Sequence, residues 1–140
     1  MEYACSGDKI MKKIFENNKI IAIVIPMPKK NNKTNFYTDG SENLQVGRII
    51  KKKSDIILPH KHTPKARIIK NTSEFLYLEK GSAEVSVYNK SDKIIEKFIL
   101  KKGDAILFFD CGHSLKILSD CSIFEVKQGP YQKLNEKTFI

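Results

Sequence analysis

From residue 19 to residue 128 the chain repeats one pattern: five to eight residues rich in isoleucine, valine, leucine and phenylalanine, then a short polar break. The runs are "KIIAIVIP" (19–26), "LQVGRIIK" (44–51), "DIILPHKH" (55–62), "EFLYLEK" (74–80), "AEVSVYN" (83–89), "KIIEKFIL" (93–100), "AILFFD" (105–110), "SLKIL" (114–118) and "SIFEVKQ" (122–128). "DGSEN", "KKKSD", "EKGS", "NKSDK", "KKGD", "SD" and "QGP" stand between them as turn signals. β-branched runs this short and this closely spaced leave little room for helix, so the pattern predicts an all-β chain folded as an antiparallel sandwich or barrel. The ends follow a different pattern. "DKIMKKIFENN" (8–18) reads as a short helical or irregular lead-in, and residues 132–140 as a tail.

Side chains two apart on a strand share a face, which makes the three histidines informative. Over 55–62, Ile56, Leu58, His60 and His62 fall on one side, apolar at the start and imidazole at the end. Over 74–80, Glu74, Leu76 and Leu78 share one face, and Phe75 and Tyr77 the other. After Gly112, His113, Leu115 and Ile117 alternate inward while Ser114 and Lys116 alternate outward. Each of three strands would thus carry a residue of metal-ligand type on its inward face. A lone HxH is more often a pair of hydrogen-bonded surface or core residues; here every histidine of the chain, and a glutamate, occupy such positions. Pro59 and Pro64 remove backbone donors and assign 55–62 to an edge or a strand end.

Composition narrows the function classes. A chain of 140 residues fits one domain, which at this size buries roughly 68–70% of its unfolded surface. The formal charge of +9 is almost all lysine. Arg48 and Arg67 are the only arginines, and no recognition motif accompanies the charge, so nucleic acid is not the expected partner. Cys5, Cys111 and Cys121 are odd in number and form no CxxC pair, as expected of reduced thiols. "IIAIVI" (20–25) is far short of the roughly 20 residues that span a bilayer. "MEYACSGDKI" has no apolar core of a secretory signal, so a cytoplasmic location is expected.

The motifs resemble a family. "HKH…EFLYLEKG" is similar to the first motif of the cupins, an HxH followed by a glutamate and, after six intervening residues, a glycine, here Glu74 and Gly81. "GDAILFFDCGH" resembles the second motif, in which a turn glycine precedes a strand and then a histidine. With "LQVG" and "EVKQGPY", the likeness is to small bacterial single-domain cupins, some of which occur near surface-polysaccharide genes. It runs from about residue 44 to 131. The pattern differs at three places: Ser54 stands where a glycine is expected six residues before the first histidine, the loop over 63–73 is seven or eight residues longer than usual, and the second motif is one residue shorter without its proline, Phe109 lying in that region.

The resemblance implies a double-stranded β-helix, a jelly-roll barrel, forming one domain over 1–140. It also implies one divalent metal ion held by His60, His62, Glu74 and His113. Three imidazoles and a carboxylate suit Fe, Mn, Ni or Zn alike. Two open coordination positions admit an isomerase or epimerase acting on a carbohydrate or other anionic metabolite, an Fe(II)-dependent dioxygenase, or a non-catalytic small-molecule-binding module. Arg67 and Lys70 on the long loop, Cys111 and Tyr131 are candidate substrate contacts; for Cys111 the plainer reading is a small buried hydrophobe. Phe75 and Tyr77, directed away from the interior, mark the face through which a homodimer would form.

Overall fold

The computed structural model describes residues 11–30 and 33–140. The chain divides into two compact units, Met1–Lys29 with Asn71–Ile140, and Lys30–Lys70.

The first unit holds eight strands: β1 (Lys12–Glu16), β2 (Lys19–Ile25), β5 (Glu74–Lys80), β6 (Ser82–Tyr88), β7 (Ile94–Lys101), β8 (Ala105–Phe108), β9 (Gly112–Ile117) and β10 (Ser122–Lys127). β3 (Asn35–Phe36) and β4 (Gly47–Arg48) form a two-stranded sheet in the second unit. All pairings among the described residues are antiparallel. Among the described residues there is no helix, hence none long and apolar enough to cross a membrane.

Strand order is β1-β2-β8-β5-β10 in one sheet and β7-β6-β9 in the other. The chain alternates between them, β5 in the first, β6 and β7 in the second, β8 back, β9 across, β10 back. The shared core draws Ile14, Ile21, Ala22, Leu76, Leu78, Ile106 and Phe108 from the five-stranded sheet and Val85, Val87, Phe98 and Leu100 from the three-stranded one. Burying these side chains supplies the main stabilising term, about 1.5–3 kcal/mol for each of the larger ones. The sheets do not close on each other: among the described residues β9 pairs only with β6 and β10 only with β5. The expected closed barrel is therefore replaced by a two-sheet, all-β architecture with open edges.

Two further expectations change. The helical or irregular lead-in is instead strand β1 over Lys12–Glu16, turned onto β2 by Asn17 and Asn18, both with positive φ (49° and 62°). Two consecutive positive-φ residues give the hairpin turn whose twist matches the strands, and asparagine tolerates that region. Residues 8–10 of that lead-in, and Cys5, lie outside the described residues. Ile14 of β1 is buried in the hydrophobic core. Finally, the strand expected over 55–62 does not form, and Ile56, Leu58, His60 and His62 are all exposed. Alternating side chains make a strand only where a neighbouring backbone supplies partners, and Pro59 and Pro64 have no N–H to offer one. The run at 44–51 keeps its period of two, with Leu44, Val46, Arg48 and Ile50 each more covered than their neighbours, but only Gly47–Arg48 is laddered.

Candidate functional site

In the first unit the polar residues of the inner faces gather at one end of β5, β9 and β10. Registers fix which side chains face the core. Glu74, Leu76 and Leu78 point inward on β5, and their partners on β10 are Lys127, Glu125 and Ile123. On β9, His113, Leu115 and Ile117 are paired with the core residues Val87, Val85 and Ala83 of β6. The parity expected for Glu74 and His113 is thus the parity observed.

His113 Nε2 lies 3.0 Å from Glu74 Oε2, a contact between the two sheets. Below it the His113 ring stacks on Phe108, centroids 3.9 Å apart and planes 7° from parallel. His113 Nδ1 is buried and has no hydrogen-bond partner among the described residues, so stacking and the Glu74 contact hold the ring. The hydrogen bond with His113 draws the Glu74 carboxyl down to about 2, against a burial effect that works the other way. Glu125 beside it is shifted upward, chiefly by its hydrogen bond to Glu74, so of the two carboxyls Glu125 is the one that keeps the shared proton more readily. Lys127 Nζ stands 3.7 Å from Glu125 Oε1 and 5.4 Å from the centre of the Tyr131 ring.

Cys111 is close to this group but directed away from solvent. Its thiol approaches the Ile21 carbonyl at 3.5 Å and packs against the core. Burial, with Asp110, Glu16 and Glu74 adding repulsion, pushes it up to about 12, so it stays a protonated thiol at neutral pH.

The other two histidines belong to the second unit. Their rings are 5.3 Å apart in an edge-to-face arrangement. His60 Nδ1 sits 2.8 Å from the Leu58 carbonyl, which can only accept. In the neutral ring the proton is therefore on Nδ1 and the lone pair on Nε2, the tautomer of a histidine that ligates through Nε2. Arg67 and Lys70 are exposed in this unit. Upstream, the chain turns at Lys52–Asp55: the Asp55 amide donates to the Lys52 carbonyl at 3.1 Å, and the Asp55 carboxylate accepts from the Lys52 amide at 2.8 Å. Ser54, inside that turn, has φ 76°.

Of the expected site residues, then, Glu74 is brought to His113 and His60 to His62. Among the described residues no three His, Cys, Asp or Glu side chains stand together in a way that would hold a metal ion. Comparison of the chain with protein-family models, with curated proteins and with solved structures found no match in any of the three. Sequence reasoning missed Glu125 and Lys127. Their signal was available in the parity of "SIFEVKQ", which puts Ile123, Glu125 and Lys127 on one face.

Proposed function

We propose that the chain is a metal-binding cupin acting on a small molecule, with His60, His62, Glu74 and His113 as the ligands of one divalent ion, and that its chemistry is of the isomerase or epimerase type. The observation that carries this reading is the Glu74–His113 contact. Two donors at right angles on an octahedral ion, each about 2.1 Å from it, lie about 3 Å apart, and the observed separation is 3.0 Å. Three features support it. The Nδ1 contact of His60 with the Leu58 carbonyl leaves the lone pair of the neutral ring on Nε2. Ser54, in the place where the family pattern has glycine, adopts a positive φ. β5 to β10 alternate between two antiparallel sheets, as the strands of a jelly roll would.

A bound divalent ion would polarise a carbonyl or diol oxygen as a Lewis acid. Glu74 and His113 would then serve as ligands, Phe108 would fix the His113 ring, and Leu115 and Ile123, packed against the core, would form an apolar wall beside them. On the opposite face Phe75 and Tyr77 stand beside Val126 and Phe124, an apolar stripe proposed as the homodimer surface. A monomeric mass in solution scattering would remove that part.

The deciding experiment is metal analysis of protein purified without added metal, for the wild type and for His60→Ala and Glu74→Ala. Close to one equivalent in the wild type and a loss of at least half in each variant is expected. Equal metal content in all three would overturn the site. Oxygen uptake by iron-loaded protein separates the chemistries, since an isomerase consumes none.

A further inference from the structure

Lys127 occupies an unusual place for a lysine. It lies on the inward face of β10, paired directly with Glu74, and its side chain is only 24% exposed. Withdrawing an ammonium from water is costly unless something compensates it, and lysine normally keeps its charge in solvent. Its neighbours only partly do so. The Glu125 carboxylate is at 3.7 Å, beyond hydrogen-bond length, and Glu74, which also attracts the ammonium, has its hydrogen bond with His113. The Tyr131 ring, 5.4 Å away, presents a face to the cation without taking up a hydrogen bond. Lys127 therefore brings a partly desolvated cation, with donors to spare, to the polar end of the inner face. Arg67 and Lys70, the basic residues that the sequence nominated for this purpose, are exposed and belong to the other unit.

We propose that Lys127, backed by the Tyr131 ring, receives the anionic group, a carboxylate or a phosphate, of the small molecule taken at the Glu74–His113 site. This rests on the function proposed above and names the substrate class: an acid or phosphorylated metabolite rather than a neutral sugar. Lysine suits the role because its ammonium is a compact point charge that binds an oxyanion without demanding the planar, two-pronged geometry of arginine. Tyr131 offers the ammonium an aromatic face on one side.

The test is a titration of the full chain, labelled with ¹⁵N, by sodium sulfate as the phosphate probe and sodium acetate as the carboxylate probe, at ionic strength held constant with sodium chloride. Saturable shifts are expected at the amides of Glu74, Lys127 and Gln128, and the tighter probe names the group. Lys127→Gln should weaken binding at least tenfold, Lys127→Arg by no more than about threefold, and Lys116→Gln, on the outward face of β9, not at all; unchanged melting temperatures establish that each variant is folded. No saturable shift at those amides with either probe, or equal binding by wild type and Lys127→Gln, would overturn the proposal. The same samples with Zn(II) report on the metal reading separately: if the ring signals of His60, His62 and His113 fail to move, that reading falls while the result at Lys127 stands.

Discussion

Glu74 and His113 are 39 positions apart in the chain and on different sheets, yet their side chains meet at 3.0 Å. Each stands at the head of an apolar face, Glu74 before Leu76 and Leu78, His113 before Leu115 and Ile117. The contact is therefore a consequence of two strand registers, and it stands where the apolar interior gives way to polar groups. Its strength shows in the Glu74 carboxyl, drawn from 4.5 to about 2.

That shift fixes an acid limb of stability. A carboxyl whose folded value is depressed stabilises the fold at pH above its unfolded value and loses that contribution as pH falls through the folded one. For Glu74 the window runs from about 4.5 down to about 2. Glu125 acts in the opposite sense, since its value is raised: its contribution is present at low pH and lost as pH rises through the folded value. Urea melts of metal-free protein should show stability falling as pH drops through the Glu74 window, with the slope flattened in Glu74→Gln. An unchanged slope in that variant would show that the contact contributes nothing to folding.

Phe108 links the core to this site. It is 2% exposed, belongs to the central core cluster and carries the His113 ring on its face. Phe108→Ala should cost about 3–5 kcal/mol in urea unfolding, the usual range for a buried phenylalanine. Phe108→Leu keeps most of the volume and should cost less, while removing the ring stack. The His113 carbon-bound ring protons, shielded by Phe108, should move downfield in Phe108→Leu; unmoved signals would mean that the stack does not persist in solution.

How far these features could be read in advance depended on what each one requires. Period-two alternation identified β5, β6, β9 and β10 and the facing of Glu74 and His113, because parity is a local property of an extended chain. The same alternation over 55–62 misled. A face is defined by side chains, but a strand is made by backbone partners, and nothing in "DIILPHKH" says which edge would supply them. β1 was hidden for a related reason: "KKIFE" has no clear period, and its strand character comes from the Asn17–Asn18 turn that lays it on β2. Glu125 and Lys127 were legible but unused, since lysine and glutamate on a short strand are ordinarily solvated.

Burial at Cys111 carries a chemical consequence. Thiolate is the reactive form of cysteine, and a thiol pushed up to about 12 is almost entirely protonated at pH 8. Iodoacetamide at pH 8 should therefore leave Cys111 unmodified in folded protein and modify it promptly in urea, as read by peptide mass mapping. Rapid labelling of Cys111 in the native state would contradict both the burial and the Sγ contact with the Ile21 carbonyl.

Ser54 supplies a last test, of the second unit by itself. A residue with a Cβ at φ 76° pays a steric penalty of about 1–2 kcal/mol that glycine avoids, partly offset by the extra freedom glycine has when unfolded. Ser54→Gly should therefore tighten the Lys52–Asp55 turn, and Ser54→Val, β-branched, should loosen it. The reporter is the Asp55 amide, which donates to the Lys52 carbonyl at 3.1 Å. A net gain of about 0.8 kcal/mol corresponds to roughly fourfold slower hydrogen exchange at that amide. Slower exchange in the glycine variant and faster exchange in the valine variant are expected together; equal rates in all three proteins would show that the turn does not hold this geometry in solution, and would remove Ser54 as support for the proposed fold.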